Sequence, residues 1–571
     1  MINRDIAKLL YEIADIFEYK EVEWKPRAYR KAARKIGDMR EDISGLYSKK
    51  GREGLENIPG VGSRIADHIV EYIETGSVRE FEKIRKQTPR GASNIIKIRG
   101  LGPKKAKKLM DELDIQSIPD LKEAINNQEI RKLEGFGKKT EENLDKAISQ
   151  YEKSHERMLL PRAMDLAEEI ISYMEENTTL KKIDYAGSLR RMKETIGDID
   201  ILVVASDPEE VMDTFVNFKN VEEVESRGKT RSTIILQNGG QIDLRVVPES
   251  SYGAALQYFT GSKDHNIKLR NLALSKGYKL SEYGLFKEDS KKKLEGKKED
   301  RIYEKLGLSF IPPELRENRG ELDCAKKSTL PSLVELEDIR GDLHVHTSYS
   351  DGTDSLNSII TQADKLGYEY IGITDHSRSR KIAGGLGTDK IKRQWKEIDS
   401  LHNDFDIEIL KGIEVDILPD GSLDCPDDIL EEMDIVVGSI HSGYKSSKKK
   451  MTERITTALQ NEFLHVFGHP TSRKIGIREA YDVDLDQIFE TAAENGKLME
   501  INSQPERLDL NDNLILQAKE YDLKFCISSD SHSSAQLDFM KYGIGQARRG
   551  WLTKDDIANT YSLKKLKRLI G

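Results

Sequence analysis

The sequence predicts a multidomain chain that combines α+β and α/β parts. Residues 1–150 have helical periodicity and contain three Gly-x-Gly turns, whereas residues 180–250 contain four segments rich in β-branched residues. From residue 336 onward, seven apolar strands alternate with amphipathic helices. We therefore expect a helical N-terminus, a unit built on a mixed sheet, and a C-terminal seven-stranded (βα) barrel.

The composition argues against a membrane span and a disulfide framework. The chain has 571 residues, 33% of them charged, and its mean hydropathy is -0.61. It has no apolar run near the roughly 18 residues that a membrane span needs, and its first helix is amphipathic, unlike a signal peptide. The three cysteines, Cys324, Cys425 and Cys526, form no CxxC pair. We expect a cytoplasmic monomer with no membrane partner.

The Gly-x-Gly turns predict a nucleic-acid interface. The net charge of the chain is -9, yet residues 1–150 hold 31 Lys and Arg against 26 Asp and Glu. Each turn follows an apolar residue and precedes a basic helix start, which is typical of helix-hairpin-helix turns whose N–H groups bind phosphate. A single Gly-x-Gly is more often a plain turn, but three copies favour sequence-independent DNA binding. The predicted DNA-binding residues are Gly60, Gly62, Gly100, Gly102, Lys104, Lys105, Gly135 and Gly137.

Three carboxylates in the second region predict a metal site. Asp198 and Asp200 alternate along one predicted strand, so both side chains point to one face, and Asp243 lies on a later strand. Carboxylate oxygens suit Mg²⁺ or Mn²⁺, and two ions roughly 4 Å apart can activate a hydroxyl and stabilise a leaving group. An isolated Asp-x-Asp is more often solvent-facing. The preceding Gly187-Ser188 and the third aspartate favour the catalytic interpretation.

Residues 1–318 resemble the family X DNA polymerases. The resemblance rests on Gly187-Ser188, the three aspartates, the first two Gly-x-Gly turns and Tyr258-Phe259-Thr260-Gly261-Ser262. It implies a nucleotidyltransferase palm, gap filling in base excision repair, and gapped or primed DNA and dNTPs as substrates. It also implies that Asp198, Asp200 and Asp243 bind the catalytic Mg²⁺ or Mn²⁺. The residues that would contact the nucleotide are Gly187, Ser188, Arg191, Tyr258, Phe259, Gly261, Asn266 and Arg270.

Four positions depart from the animal repair members of that family. His68 stands where the lyase lysine is expected, with Arg64 at another lysine position. A Schiff base needs a primary amine, so 5′-deoxyribose phosphate lyase activity is not expected. Gln241 replaces an arginine that orients the third aspartate, and Lys263 replaces an acidic residue. Both changes leave the predicted metal site whole.

Nine side chains at predicted strand ends in the last region predict a second metal centre. Their mixture of imidazole and carboxylate suits Mn²⁺ or Zn²⁺ and is sufficient for three ions. A lone histidine is usually structural, but nine donors at one barrel mouth are not. The predicted ligands are His344, His346, Asp351, His376, Glu414, His441, His469, Asp530 and His532.

The order and spacing of these nine residues resemble the PHP phosphoesterase family. The resemblance covers residues 336–571 and includes Asp342-Leu343-His344-Val345-His346 and Ser529-Asp530-Ser531-His532. Together with the polymerase resemblance it implies a 3′-5′ exonuclease. Abasic-site endonuclease and 3′-phosphatase activities are also compatible with this resemblance.

Two alternatives to this function remain. One is a DNA-binding scaffold that carries only a PHP phosphoesterase, and the other is a phosphatase for a small ester.

The two resemblances also define a domain scheme. The predicted segments are a lyase-like helix-hairpin-helix domain (1–86), a second helix-hairpin-helix subdomain (87–153), a nucleotidyltransferase palm (154–249), a nascent-base-pair subdomain (250–318), a linker (319–335) and a PHP domain (336–571).

Overall fold

The chain, described from a computed structural model, divides into two compact units. The first comprises Met1–Glu156 and Ile235–Gln241, and the second comprises Arg157–Ile234 and Ile242–Gly571. None of the described helices is long and apolar enough to cross a membrane. The structure describes all residues except 1, 21, 38–42, 59, 76, 87–94, 96–97, 99–100, 102, 116, 156, 238 and 403.

The described residues between 2 and 155 are largely helical, as predicted for residues 1–150. Ile6, Leu10, Ile13 and Phe17 recur on one face of the first helix and are buried in an apolar cluster that extends to Phe81. A second cluster forms separately from residues between 95 and 148. The helices are α1 (Ile2–Tyr19), α2 (Lys25–Gly37), α3 (Ile43–Glu56), α4 (Ser63–Thr75), α5 (Arg79–Lys86), α6 (Pro103–Leu113), α7 (Ile118–Asn126) and α8 (Lys138–His155).

The next region contains a five-stranded sheet. Its strand order is β2 (Leu180–Tyr185), β4 (Asp198–Ala205), β7 (Gln241–Val246), β6 (Arg231–Leu236) and β5 (Val221–Arg227), and β2 is antiparallel to β4. The four strands expected from β-branched residues are all present. Strand β5 was not predicted, because its polar sequence lies at the sheet edge and is mostly exposed. The elements are β1 (Met158–Leu159), α9 (Leu160–Asn177), β2 (Leu180–Tyr185), α10 (Gly187–Arg190), β3 (Thr195–Ile196), β4 (Asp198–Ala205), α11 (Pro208–Val216), β5 (Val221–Arg227), β6 (Arg231–Leu236) and β7 (Gln241–Val246).

A smaller region of helices and one antiparallel three-stranded sheet follows. Residues 319–335, expected to be a linker, contain a helix whose Ala325 packs into the apolar cluster of this region, so the segment is not simply an extended connection. The elements are α12 (Tyr252–Thr260), α13 (Lys263–Ser275), β8 (Tyr278–Ser281), β9 (Gly284–Lys287), β10 (Lys293–Glu295), α14 (Glu299–Lys305) and α15 (Glu321–Lys327).

The C-terminal region confirms the predicted seven-stranded (βα) barrel. Its strands are parallel and hydrogen-bonded in chain order. The first and last strands approach where the His346 N–H donates to the Ser531 carbonyl over 2.7 Å. The elements are β11 (Gly341–Val345), α16 (Leu356–Lys365), β12 (Tyr370–Ile373), α17 (Thr388–Leu401), β13 (Glu408–Asp416), α18 (Asp427–Leu430), β14 (Ile435–Ser439), α19 (Lys448–Leu459), β15 (Val466–Phe467), α20 (Leu485–Glu494), β16 (Leu498–Asn502), α21 (Asp512–Ala518), β17 (Phe525–Ser528), α22 (Met540–Arg549) and α23 (Leu563–Ile570).

Candidate active sites and nucleic-acid interface

The three predicted catalytic aspartates lie on two adjacent strands. Asp198 and Asp200 alternate on β4, and Asp243 lies on the neighbouring β7. Asp243 is buried and accepts a hydrogen bond of 2.7 Å from the Thr233 hydroxyl, while Arg231 approaches it to 3.2 Å. In the resembling family an arginine at the position of Gln241 orients the third aspartate. Here Arg231 supplies a guanidinium partner for Asp243 instead.

The electrostatics of this face favour a bound cation. Loss of hydration, followed by repulsion from Asp198 and Asp243, raises the pKa of Asp200 to about 7. The pKa of Asp198 is also raised, first by loss of hydration and then by Asp243. Like charges that oppose one another's ionisation are relieved by a divalent cation, so the residues present fit Mg²⁺ or Mn²⁺.

A pocket of about 510 Å³ lies beside these carboxylates and gathers all eight predicted nucleotide contacts. Its lining includes the cationic side chains of Arg191 and Arg270 and the aromatic rings of Tyr258 and Phe259, which suit a triphosphate and a sugar. Arg157 and Lys193 line it too and were not predicted, because isolated basic residues carry no sequence signal. The lining residues are Arg157, Gly187, Ser188, Arg191, Lys193, Asp198, Asp200, Tyr258, Phe259, Gly261, Lys263, Asn266 and Arg270.

The side chains of this pocket are held in fixed orientations. Arg191 donates through Nε to Glu317 over 3.0 Å and through Nη1 to the Thr260 carbonyl over 2.5 Å. The rings of Tyr258 and Phe259 pack edge to face with centroids 5.1 Å apart. Such pre-orientation lowers the entropy that nucleotide binding would otherwise cost.

Asn266 is oriented by its neighbours rather than left free. Its side-chain oxygen accepts from Gln257 over 2.7 Å, and its amide donates to the Tyr258 carbonyl over 2.6 Å. Gln257 is buried behind the pocket lining, to which Asn266 and Tyr258 belong. Asn266 therefore fixes the backbone at Tyr258 as well as lining the site.

The nine predicted barrel ligands converge at the carboxyl ends of the strands. Eight of them form three overlapping groups whose candidate ligand atoms lie within 4.8 Å of one another. The ninth, His469, places its Nε2 3.2 Å from Glu414. The groups are His346, Asp351, His376 and His532; His344, His346 and Asp530; and His376, Glu414 and His441.

Several donor atoms of this cluster lack other partners. Within the described part of the chain, the atoms that are buried without a hydrogen bond include His344 Nε2, both ring nitrogens of His346, His376 Nδ1 and Glu414 Oε2. Buried polar groups are ordinarily satisfied, so unpaired atoms facing one another fit metal ligation. Three overlapping groups are consistent with up to three ions.

The carboxylates and imidazoles of the cluster shift one another's pKa values. Burial opposes protonation of His376, but the Glu414 and Asp351 carboxylates outweigh it and raise the pKa of His376 to about 10. Burial and the neighbouring His532 and His376 instead lower the pKa of His346 to about 4. Cations that replace these protons would satisfy the same carboxylates.

Two carboxylates behind the ligands were not predicted. Glu500 Oε1 lies 2.7 Å from His344 Nδ1, and Asp416 Oδ1 lies 2.5 Å from His441 Nδ1. Each carboxylate holds the ring so that Nε2 faces the cluster, as supporting residues of metal-bound histidines do. The only available sequence signal was an acidic residue within or at the end of an otherwise apolar strand.

The three Gly-x-Gly turns have one backbone hydrogen bond in common. In each, the residue between the glycines donates its N–H to the apolar residue three positions earlier: Val61 to Ile58, Leu101 to Ile98 and Phe136 to Leu133. Gly60 and Gly135 adopt φ of +97° and +84°, and Lys105 is exposed. Gly62 and Gly137 have open space where a Cβ would lie. Gly100, Gly102 and the Lys104 side chain lie outside the described residues.

His68 is a buried structural residue. It is 6% exposed, its Nδ1 lies 3.1 Å from the Tyr29 hydroxyl, and its Nε2 lies 3.0 Å from Glu80. Arg64 also pairs with Glu80, over 2.9 Å. Neither side chain offers the primary amine that lyase chemistry requires.

Family models match four parts of the chain. They are described as a helix-hairpin-helix domain (residues 1–78), a SAM-like helix-hairpin-helix tandem (92–148), a DNA polymerase beta thumb (255–317) and a PHP domain (342–504).

One similar protein spans the whole chain. It is the DNA polymerase/3′-5′ exonuclease PolX of Bacillus subtilis (strain 168), 38% identical over 571 residues, which cover 99% of each chain. The chain belongs to the PolX family. This membership accounts for a polymerase-like pocket and a PHP barrel in one polypeptide.

Other relatives of this PolX family member match one part of it. A probable phosphatase of Thermoanaerobacter sp. (strain X514) is 30% identical over 248 residues, 40% of this chain and 96% of the relative. DNA polymerase lambda of Arabidopsis thaliana is 27% identical over 308 residues, 50% of this chain and 54% of the relative. One of these partial relatives is thus named a phosphatase and the other a DNA polymerase.

Proposed function

We propose that the chain is a DNA polymerase that fills gaps in base excision repair and trims 3′ ends with a 3′-5′ exonuclease in its PHP barrel. The observation that carries the proposal is the coexistence of two complete centres. One is the aspartate set beside the nucleotide pocket, and the other is the nine-residue cluster in the barrel. The complete aspartate set argues against a scaffold with only a phosphoesterase.

Asp198, Asp200 and Asp243 would hold Mg²⁺ or Mn²⁺ for nucleotide addition. When bound, these ions lower the barrier to attack by a primer hydroxyl and neutralise the leaving pyrophosphate. Arg191 and Ser188 would bind the triphosphate, Tyr258 and Phe259 would form the sugar-side wall, and Asn266 and Arg270 would face the nascent pair. The Gly-x-Gly turns would hold the DNA backbone without reading its sequence.

The nine barrel residues would hold Mn²⁺ or Zn²⁺, as three ions. When bound, such ions supply a water of lowered pKa and neutralise phosphoryl oxygens. Glu500 and Asp416 keep His344 and His441 oriented toward the site. An unpaired 3′ end costs less to peel away than a paired one, so mismatched ends and single strands should be degraded faster than matched duplex.

The experiment is a pair of variants assayed on one gapped DNA substrate. Asp198→Ala should abolish nucleotide addition and leave Mn²⁺-dependent release of 3′ nucleotides. The double variant His344→Ala, Glu414→Ala should do the reverse, since it removes two ligands of the barrel cluster. Loss of both activities in either variant would contradict two separate centres.

A small-ester phosphatase is a second candidate for the barrel, favoured by the similarity of 40% of this chain to a protein named a probable phosphatase. Comparing kcat/KM for histidinol phosphate with that for single-stranded DNA separates the two. Higher turnover of the ester would replace the exonuclease proposal.

The domain boundaries drawn from the sequence are part of the proposal, as are a monomeric state and a cytoplasmic location. Abasic-site endonuclease and 3′-phosphatase activities belong to the same barrel cluster. Both would be lost in the barrel double variant.

A further inference from the structure

The nucleotide pocket is bordered by a turn that the PHP barrel holds in place. The turn, residues 191–194, connects α10 to β3 and brings Arg191 and Lys193 into the pocket lining. Its second residue, Met192, has φ of +53°, a left-handed conformation that non-glycine residues rarely adopt without support. Two bonds within the segment, from the Met192 N–H to the Leu189 carbonyl and from the Lys193 N–H to the Ser188 carbonyl, support this conformation, and contacts from outside the segment add to them.

Helix α22 of the barrel supplies those contacts. Gln546 donates its side-chain amide to the Met192 carbonyl over 3.0 Å, and Arg549 donates to the Arg191 carbonyl over 2.7 Å. Gly545 lies directly beneath Met192, since a Cβ on it would meet the Met192 side chain at 2.6 Å. Two successive carbonyls of the turn thus accept hydrogen bonds from one helix of the barrel region.

The Arg191 side chain is tied to the same helix. Arg191 Nε and Arg549 Nη1 both lie 3.0 Å from Oε1 of Glu317, so one carboxylate oxygen links the two guanidinium groups. Arg549 is 2% exposed at its side chain and pairs with Asp512 over 2.6 Å. Buried charge-assisted bonds of this kind hold their partners in a fixed geometry.

A second barrel segment, which contains Arg473, contacts the last residue of the turn. Arg473 donates to Glu194 over 2.6 Å, and the same nitrogen donates to the Leu508 carbonyl. Arg473 follows the predicted metal ligand His469 by four residues. The turn is therefore fixed at both ends by the barrel.

We propose that Gln546 and Arg549 of the PHP barrel are positioning residues for the polymerase site, because they set the turn that presents Arg191 and Lys193 to the triphosphate. This inference rests on the proposed polymerase function. The barrel is then part of the nucleotide-binding apparatus and not only a tethered nuclease. Neither residue touches the nucleotide, so loss of either should affect dNTP binding more than the chemical step.

The test compares four full-length variants in single-nucleotide gap filling. Gln546→Met should raise the KM for dNTP by about ten-fold, the cost of one buried hydrogen bond, with a smaller change in kcat. Arg549→Ala should raise it at least as much, because Arg549 also bonds to Glu317 and Asp512. Arg549→Lys should recover part of the loss. Arg548→Ala is the matched control: this neighbour on α22 pairs with Glu314 and Glu335 and makes no described contact with the turn, so its KM should equal that of the wild type.

Exonuclease rate on single-stranded DNA and thermal melting are measured for each variant. Unchanged exonuclease activity beside a raised KM supports the inference. Gln546→Met keeps the side-chain volume, so it decides the matter if Arg549→Ala does not fold. A wild-type KM in Gln546→Met, or an equal rise in Arg548→Ala, overturns it.

Equilibrium dNTP binding, followed by tryptophan or nucleotide fluorescence, keeps this test separate from that of the proposed function. Wild-type protein that binds dNTP but extends no primer refutes the polymerase proposal alone. Weaker dNTP binding by Gln546→Met would still support the positioning role. Equal binding by the two proteins would overturn it.

Discussion

Gly187 allows the nucleotide pocket to form next to Asp200. It adopts φ of +63°, and a Cβ there would lie 2.4 Å from Asp200 Oδ2. We predict that Gly187→Ala lowers kcat/KM for nucleotide addition about 100-fold, since a displacement on the order of 1 Å can cost this much. Primer extension under steady-state conditions measures it.

Gly277→Ala is the matched control for that substitution. Gly277 is also left-handed, with φ of +72°, but has no atom within 4 Å of a built Cβ. It should lose some stability and little activity. Equal losses in the two variants would mean that strain, not contact with Asp200, explains the defect.

His68 leads to a second prediction for a single residue. Because His68 is buried between Tyr29 and Glu80 and is not a primary amine, borohydride should trap little covalent adduct on 5′-deoxyribose phosphate DNA. Denaturing gels of the labelled DNA report the adduct. Strong trapping that disappears when residues 1–85 are removed would show that another amine there performs the chemistry.

At the scale of elements, strand β16 contributes Glu500, which orients the His344 ring toward the barrel cluster. We predict that Glu500→Gln raises the Mn²⁺ concentration needed for half-maximal exonuclease activity by about 10- to 100-fold, the usual effect of losing a carboxylate behind a metal-bound histidine. Nucleotide addition with Mg²⁺ should be unchanged.

Glu408→Gln serves as the control for Glu500. Glu408 is the first residue of β13, whereas the ligand Glu414 lies near the carboxyl end of the same strand. Glu408 pairs with Lys567 near the surface, away from the cluster. Its Mn²⁺ requirement should match that of the wild type. If Glu500→Gln leaves the Mn²⁺ dependence unchanged, Glu500 does not support metal binding by His344.

The parts of both centres that follow strand periodicity could be predicted from the sequence. Asp198 and Asp200 share a face because strand side chains alternate, and the barrel histidines converge because parallel strands end at one mouth. Glu500 could not be predicted, because its partner His344 is 156 positions away. Nor could Arg549, which is 358 positions from the Arg191 carbonyl that it binds.

For the whole molecule, metal binding and barrel stability should be linked. The ligands of the cluster come from several strands and the loops that follow them, so a bound ion joins elements that separate on unfolding. We predict that Mn²⁺ at about 1,000 times its dissociation constant stabilises the barrel by about 4 kcal/mol. Calorimetry of the full chain, with and without a chelator, measures the shift in Tm.

The double variant His344→Ala, Glu414→Ala provides the comparison for this measurement. Its Mn²⁺-dependent shift in Tm should be smaller than that of the wild type, because two of the three ligand groups have lost a member while the group of His346, Asp351, His376 and His532 stays whole. An undiminished shift in the double variant would place the stabilising ion elsewhere in the chain.

Closure of the barrel also sets an order of events during synthesis. The Ser529 N–H donates to Asp342, a residue 187 positions earlier, and Val345 pairs with Ser531. At translation rates of about 5–20 residues per second, the first strand emerges roughly 10–40 s before its last partner. A growing chain would therefore carry DNA-binding helices well before Asp530 and His532 complete the cutting centre. An unfinished polypeptide could bind the genome but could not degrade it.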